Sequence, residues 1–181
     1  IFSSSKKLKI LNIGRFTEQK DQLTFLKSLN FIKKKIKFEA CIVGKGILKE
    51  KLKNYIEKNN LKKFVKIINF TNNPYPLIKQ ANLFILSSKY EGLPNVILES
   101  LVLKKFVISS NCRTGPKEIL LNGKGGLLFN VGDYKSLGLK IIYFNKNKKK
   151  AKAMLKKAHR ALNRFDFKLN LEKYLKLVDI R

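Results

Sequence analysis

The sequence predicts an α/β domain: a parallel β-sheet with helices on both faces. Three observations lead there. Short apolar runs alternate with helical patterns along most of the 181 residues, as in repeated βαβ units. One run, Leu83–Leu86 (LFIL), is apolar throughout, as expected for a strand covered on both sides. Hydrophobic residues make up 44% of the chain, and a domain of this length buries roughly 70% of its unfolded surface.

The elements follow in order. Leu8–Ile13 (LKILNI) reads as a strand and Gly14–Lys20 as a loop. Asp21–Ile32 places Leu23, Leu26 and Leu29 at helical spacing. Phe38–Val43 (FEACIV) is a strand, Gly44-Lys45-Gly46 a turn, and Leu48–Ile56 a helix with apolar positions every three to four residues. Phe64–Phe70 is a strand and Pro74–Ala81 a short helix. After the LFIL strand come a helix over Asn95–Leu103, a strand over Phe106–Ser109 and a helix over Pro116–Leu121. A last strand, Gly126–Phe129, precedes an amphipathic helix over Asp133–Phe144. From Asn145 the chain reads as helices interrupted near Asn163–Phe167. There is no internal repeat. The expected organisation is one domain over 1–181, with a core over about 8–145 and C-terminal helices over about 146–181.

The formal net charge is +28, which by itself suggests a nucleic-acid partner. Two features weaken that reading. The cations are 35 Lys and only 5 Arg, whereas base and phosphate recognition leans on the arginine fork. Phe25, Phe31, Phe38, Phe64, Phe84 and Phe106 lie on periodic apolar faces, so they read as core and not as stacking platforms. The abundance of Lys, Asn and Ile fits an A/T-rich genome. Lys146–Lys157 holds seven lysines in twelve positions; it reads as a solvated helix face or linker, with contact to an anionic membrane as the alternative. His159, in the same tail, reads as a surface residue.

Cys41 and Cys112 lack metal or redox spacing, and a domain with a full core and two thiols suits a reducing compartment. No apolar run approaches the ~18 residues needed to span a bilayer. The chain begins at Ile1 and shows no signal peptide, so it reads as a fragment or processed piece of a cytoplasmic protein.

In open α/β sheets ligands bind beyond the carboxyl ends of the strands, so the residues after each strand carry the chemistry. After the first strand, Gly14 lets backbone approach a ligand, while Arg15 and Lys20 flank the start of a helix. A forked cation and a point charge beside a helix N-terminus suit a diphosphate. Neither a Walker loop nor GxGxxG is present. Gly44 and Gly46 make either a strand-to-helix corner or a backbone contact to sugar or phosphate. After the LFIL strand, Glu91 and Glu99 stand eight positions apart in a chain with only 12 acidic residues. Glu99 sits inside an apolar helix, where an unpaired carboxylate is costly. Carboxylates at this spacing can accept from sugar hydroxyls at two ends of one ligand. Gly92 opens the loop between them, and Pro94 suits the first turn of the next helix.

Glu91–Glu99 (EGLPNVILE) is an E-x7-E motif, and it closely resembles the signature of retaining, GT4-like glycosyltransferases of the GT-B fold (glycosyl transferases group 1). A GRF-x3-K loop, a V-G-x-G turn, an S-x-x-EG-x-P stretch, TGPKEIL at Thr114–Leu120 and GKGGLLF at Gly123–Phe129 fall in that family's order, so the resemblance covers about Leu8 to Val178. It implies the Rossmann-like C-terminal half of such an enzyme, which binds the nucleotide-sugar. On this resemblance Arg15 and Lys20 hold the donor diphosphate and Glu91 the donor sugar. The loop of Gly92, Leu93, Pro94, Asn95 and Val96 contacts sugar and phosphate through its backbone, and Glu99 holds the ribose. Gly14, Gly44 and Gly46 complete the donor site, and the base packs near Ile68–Thr71. Thr114–Glu118 reads as a structural turn and helix start.

The resemblance further implies that the N-terminal, acceptor-binding domain is absent from this chain. The expected reaction is hexosyl transfer from a nucleotide-sugar, UDP-linked, to a glycan or lipid-linked acceptor in surface polysaccharide or glycolipid synthesis. Arg15, Lys20 and Glu91 are the expected catalytic side chains. No metal, further cofactor or nucleic acid is expected, because no DxD or Asp/His cluster occurs. A cytoplasmic place follows, with peripheral contact at the inner face of the membrane left open. The alternatives are a non-catalytic nucleotide-binding module and, more remotely, a basic nucleic-acid-binding protein. Thermal melts separate them: UDP or GDP should raise the melting temperature, Glu99→Ala and Lys20→Ala should abolish the rise, and duplex DNA should have no effect. DNA binding with a steep salt slope and no nucleotide effect would point to the last alternative.

Overall fold

The computed structural model describes residues 1–2 and 6–178. In chain order they form β1 (Leu8–Ile13), α1 (Gln22–Ile32), β2 (Phe38–Val43), α2 (Lys49–Lys58), β3 (Val65–Ile68), α3 (Tyr75–Gln80), β4 (Leu83–Leu86) and α4 (Asn95–Val102). Then follow β5 (Phe106–Ser110), α5 (Pro116–Ile119), β6 (Leu127–Phe129), α6 (Tyr134–Lys146), α7 (Lys148–Arg160) and α8 (Phe167–Val178). Single 3-10 turns occupy Leu121–Gly123 and Ala161–Phe165.

The six strands are all parallel, in the order β3-β2-β1-β4-β5-β6. The chain builds outward from β1 to β3, then crosses back to lay β4 along the other side of β1. Loops leaving β1 and β4 therefore diverge to opposite faces, which opens a crevice at their carboxyl ends. Ile10 pairs with Leu83 and Leu11 with Phe84 at this central seam.

Side-chain alternation sorts the core into two layers. Ile10, Ile42, Leu83, Ile85 and Ile108 pack with Phe25, Leu26 and Leu29 of α1, Leu52 of α2 and Leu137 and Ile141 of α6. Leu11, Val43, Phe84, Leu86 and Val107 pack with Leu77 of α3, Ile97 and Leu101 of α4, Ile119 of α5 and Ala158 of α7. All four residues of β4 are buried, two facing each layer, which is why that strand is written without a polar position. Phe25, Phe38, Phe84 and Phe106 are core, and Phe31 and Phe64 pack partly buried against it.

Local chemistry sets the helix ends. Asp21 adopts a left-handed conformation and caps α1, its Oδ1 accepting from the Thr24 amide at 3.2 Å and its Oδ2 from the Thr24 hydroxyl at 2.7 Å. Asp133 caps α6 through the Ser136 amide at 2.9 Å. Several expected bounds move. The strand expected over Phe64–Phe70 shortens to Val65–Ile68, because Asn69 and Phe70 lie exposed beyond the edge of the sheet. The helix expected through Leu121 stops at Ile119, and Leu121 and Asn122 turn at positive φ. Pro94 takes the N-cap of α4 and not its first turn. His159, expected at the surface, is half-buried on α7. The lysines of α7 are solvated, as its spacing suggests, while Ala151, Met154, Leu155 and Ala158 face the protein.

Gly44 and Gly46 let the loop after β2 press onto the loop after β1. The Phe16 amide donates to Lys45 O at 2.8 Å and the Leu48 amide to Phe16 O at 3.1 Å. A Cβ on Gly46, where φ is +151°, would lie 2.5 Å from Phe16 O. Gly46→Ala should therefore lower stability by about 1–3 kcal/mol through strain at that backbone, visible as a lower urea midpoint with an unchanged slope.

Candidate nucleotide-sugar site

Two loops meet over the β1–β4 seam, and hydrogen bonds stitch them together. The Lys89 amide donates to Gln19 O at 2.7 Å, Gln19 Nε2 to Tyr90 O at 3.1 Å, and Ser87 Oγ to Lys20 O at 2.9 Å. At their centre Lys20 Nζ lies 2.6 Å from Glu91 Oε1, with side chains 19% and 7% exposed. Gly14 makes this reach possible: a Cβ there would lie 3.3 Å from Lys20 Cγ and 3.4 Å from Cδ, crowding the aliphatic stem. Ser88 Oγ donates to the same carboxylate oxygen at 2.6 Å. Lys20 and Glu91, expected to grip different parts of one ligand, are thus bonded to each other.

Beside this pair lies a cavity of about 510 Å³ at the carboxyl ends of β1, β2 and β3. It is lined by Gly14, Arg15, Gly44, Phe70, Thr71 and Glu99, among others. Residues as far apart in sequence as Gly14 and Glu99 converge here because their strands are neighbours in the sheet. Arg15 is exposed; its carbonyl is pinned by Gln22 Nε2 at 3.0 Å, and its guanidinium makes no ion pair among the described residues. Glu99 is half-buried, its carboxylate makes no hydrogen bond or ion pair within the described chain, and desolvation raises its pKa above the ordinary value. A carboxylate left bare at a cavity wall is ready to accept from ligand hydroxyls.

The remaining expected residues divide. Gly92 and Leu93 are exposed on the loop before α4, and a Cβ on Gly92 would meet nothing within 4 Å. Pro94 is buried and Val96 half-buried. Asn95 lines an adjacent cleft that shares Glu99 and Tyr75 with the first cavity. Gly46 does not line the cavity; its role is the backbone contact to Phe16. The N-terminus of α1, expected to offer free amides to an anion, gives its Thr24 amide to Asp21. No side chain caps α4, so that helix end, beside Glu91, keeps the open donors. The Thr114–Glu118 turn is structural: the Thr114 hydroxyl donates to Glu91 O, and Gly115 abuts Gly92 and Pro94 so closely that a Cβ would lie 2.0 Å from Gly92 O. Lys45 and Tyr75 are lining residues that sequence spacing did not single out, whereas Phe70 and Thr71 belong to the Ile68–Thr71 stretch expected beside the base. Two exposed aromatics after β3 were the available signal. No group of three or more His, Cys, Asp or Glu side chains gathers to hold a metal ion among the described residues.

A doubly wound sheet with cations and carboxylates gathered at its topological switch point has its candidate ligand site where such folds bind their ligands. The profile of the family "Glycosyl transferases group 1" matches residues 2–161, and the chain belongs to that family. An uncharacterized glycosyltransferase of Methanocaldococcus jannaschii is 43% identical over 111 residues, 61% of this chain and 27% of the relative. A Campylobacter jejuni 4-α-N-acetylgalactosaminyltransferase, named for a diphospho-undecaprenol-linked substrate, is 32% identical over 155 residues, 80% of this chain and 42% of the relative. The chain thus spans less than half the length of these two relatives. Staphylococcus aureus TarM, solved with fondaparinux, α-GlcNAc-glycerol and UDP, superposes with a TM-score of 0.86 at 23% identity, covering 98% of this chain and 37% of TarM. Anabaena HepE, solved with UDP, gives 0.87 at 19% identity, covering 97% of this chain and 49% of HepE. At these identities the two structures establish the fold, a GT-B glycosyltransferase domain.

Glu99 gives a test independent of any ligand. Its raised folded-state pKa means that its contribution to stability is present at low pH and lost as pH rises through that value. Glu99→Gln should match the wild-type urea midpoint near pH 4 and equal or exceed it at pH 7.

Proposed function

We propose that this chain is the donor-binding domain of a retaining glycosyltransferase that uses a UDP-linked sugar. The observation that carries this reading is the convergence of Gly14, Arg15, Gly44 and Glu99 on one cavity, with the Lys20–Glu91 pair at its edge. UDP in the TarM and HepE structures supports the choice of nucleotide. In this reading Glu99 accepts from the ribose hydroxyls, and the base lies against Phe70 and Thr71. Arg15 and Lys20 meet the diphosphate, and Glu91 orients the sugar.

Transfer would proceed by attack of an acceptor hydroxyl on the anomeric carbon as the bond from that carbon to the diphosphate breaks, the hydroxyl proton passing to the departing phosphate oxygen. Negative charge then gathers on the leaving group. Arg15, Lys20 and the uncapped start of α4 neutralise it, so the proposal needs no metal. Glu91 positions the sugar and faces the positive anomeric centre; it is not assigned as a nucleophile. Retention is proposed from the family resemblance, and with no protein nucleophile assigned it calls for attack from the face that the diphosphate leaves.

The acceptor side belongs to the whole protein and is proposed from the relatives. The Campylobacter enzyme's name carries a diphospho-undecaprenol-linked sugar, and another relative is a Staphylococcus aureus poly(ribitol-phosphate) α-N-acetylglucosaminyltransferase. We therefore assign the chain to surface polysaccharide or glycolipid synthesis, with an N-terminal domain presenting a glycan or lipid-linked acceptor. No described helix is long and apolar enough to cross a membrane. The two buried free thiols suit a cytoplasmic, reducing compartment. Because the apolar face of α7 is spent on the protein core, contact of that helix with a bilayer would be electrostatic, through lysines such as Lys149, Lys150 and Lys156.

Titration calorimetry with UDP tests the binding reading: Arg15→Ala and Lys20→Ala should each weaken UDP, and no heat from UDP or GDP would sink it. In the full-length protein, nucleotide release from a panel of UDP-sugars should identify the donor. There Lys20→Ala should lower kcat by about 100- to 1,000-fold, the range for removing one donor to a developing anion.

A further inference from the structure

Ser88 stands at the carboxyl end of β4 and is fully buried. Its hydroxyl is not spent on the backbone, as most buried serines' are, but on the Glu91 carboxylate. Ser88 Oγ and Lys20 Nζ each lie 2.6 Å from Oε1, while no donor reaches Oε2 among the described residues. A charge-assisted O–H···O bond of this length is among the stronger hydrogen bonds in proteins. Ser88 is itself fixed, since its carbonyl accepts from Ser110 Oγ at 2.6 Å. The neighbouring Ser87, equally buried, holds the Lys20 backbone through its own hydroxyl. Ser88 and Lys20 thus both donate to one carboxylate oxygen, and neighbouring seryl hydroxyls hold the backbone of each.

The two donors on Oε1 differ in one respect. Lys20 is the side chain assigned above to the diphosphate, so an incoming anion competes with Glu91 for its ammonium. Ser88 faces no such competition, because it is out of reach of ligand and solvent. We propose that Ser88 is a positioning residue for donor-sugar recognition: its hydroxyl keeps Glu91 in place, with Oε2 available to sugar hydroxyls, when Lys20 turns to the diphosphate. The proposal rests on the assignment of this site to a nucleotide-sugar, and it predicts that Ser88 matters for the sugar and not for the nucleotide.

Calorimetry on this chain separates the two. Kd is measured for UDP and for UDP-glucose, UDP-GlcNAc and UDP-GalNAc, and the tightest sugar nucleotide is carried forward. Wild type should bind it more tightly than UDP. Ser88→Ala should leave the UDP Kd within twofold and weaken the sugar nucleotide about tenfold. Ser88→Cys, which keeps the packing but donates weakly, should behave like Ser88→Ala, and Ser88→Thr should restore binding. In a Glu91→Gln background Ser88→Ala should add nothing further, because its effect passes through that carboxylate. Equal loss of UDP and sugar nucleotide would make Ser88 a packing residue and overturn the proposal; so would no loss of either. A wild type that binds UDP but gains nothing from any sugar overturns this proposal while leaving the nucleotide site intact. A wild type that binds no UDP removes both readings together.

Discussion

The pairing of β1 with β4 at the middle of the sheet is the constraint on which the rest depends. It places Ile10 beside Leu83 and Leu11 beside Phe84, and so brings the loop ending at Lys20 against the loop carrying Glu91. Without that seam the two residues are 71 positions apart with no reason to meet. With it, the loops are joined by three hydrogen bonds and the Lys20–Glu91 ion pair, and the crevice between diverging connections becomes a site. The apolar cost of the arrangement is visible in β4, which must be buried on both faces to occupy the centre.

The same seam explains the economy of charge. Most of the 40 cations are solvated lysines, including those of α7. The scarce carboxylates do more. Glu91 is enclosed and paired, while Glu99 is half-buried and bare, held there by a helix whose apolar side chains drive it into the sheet. Desolvation makes Glu99 a poor residue for stability and a good acceptor for a ligand, the kind of local conflict that marks a functional position. Glu91 is stabilised by neighbours that a ligand would rearrange.

Glycine has two separate uses around the site. At Gly14 the missing side chain leaves room for the Lys20 stem; at Gly44, Gly46 and Gly115 it lets one loop's backbone touch another's. The first use concerns reach toward a ligand, the second the rigidity of the frame. Sequence spacing alone gave both the same appearance, and Gly46 was assigned to the ligand when its neighbour is Phe16.

Strand and helix identities were legible in the sequence because periodicity and burial are local consequences of composition; β1, β2 and β4 match their expected bounds to the residue. The E-x7-E spacing and the GRF-x3-K loop were legible too, as was the alternation that demands a parallel sheet. What lay outside the sequence was every relation across strands. Only the tertiary structure decided that Lys20 and Glu91 share an ion pair, that Asp21 takes an α1 amide expected to be free, and that Thr114 braces Glu91. The Ser88–Glu91 bond and the aromatic Tyr75 entered in the same way. The physical reason is that periodicity encodes which face of an element is buried, whereas a site at a strand end depends on which strands lie side by side, and strand order is settled by the packing of the whole sheet.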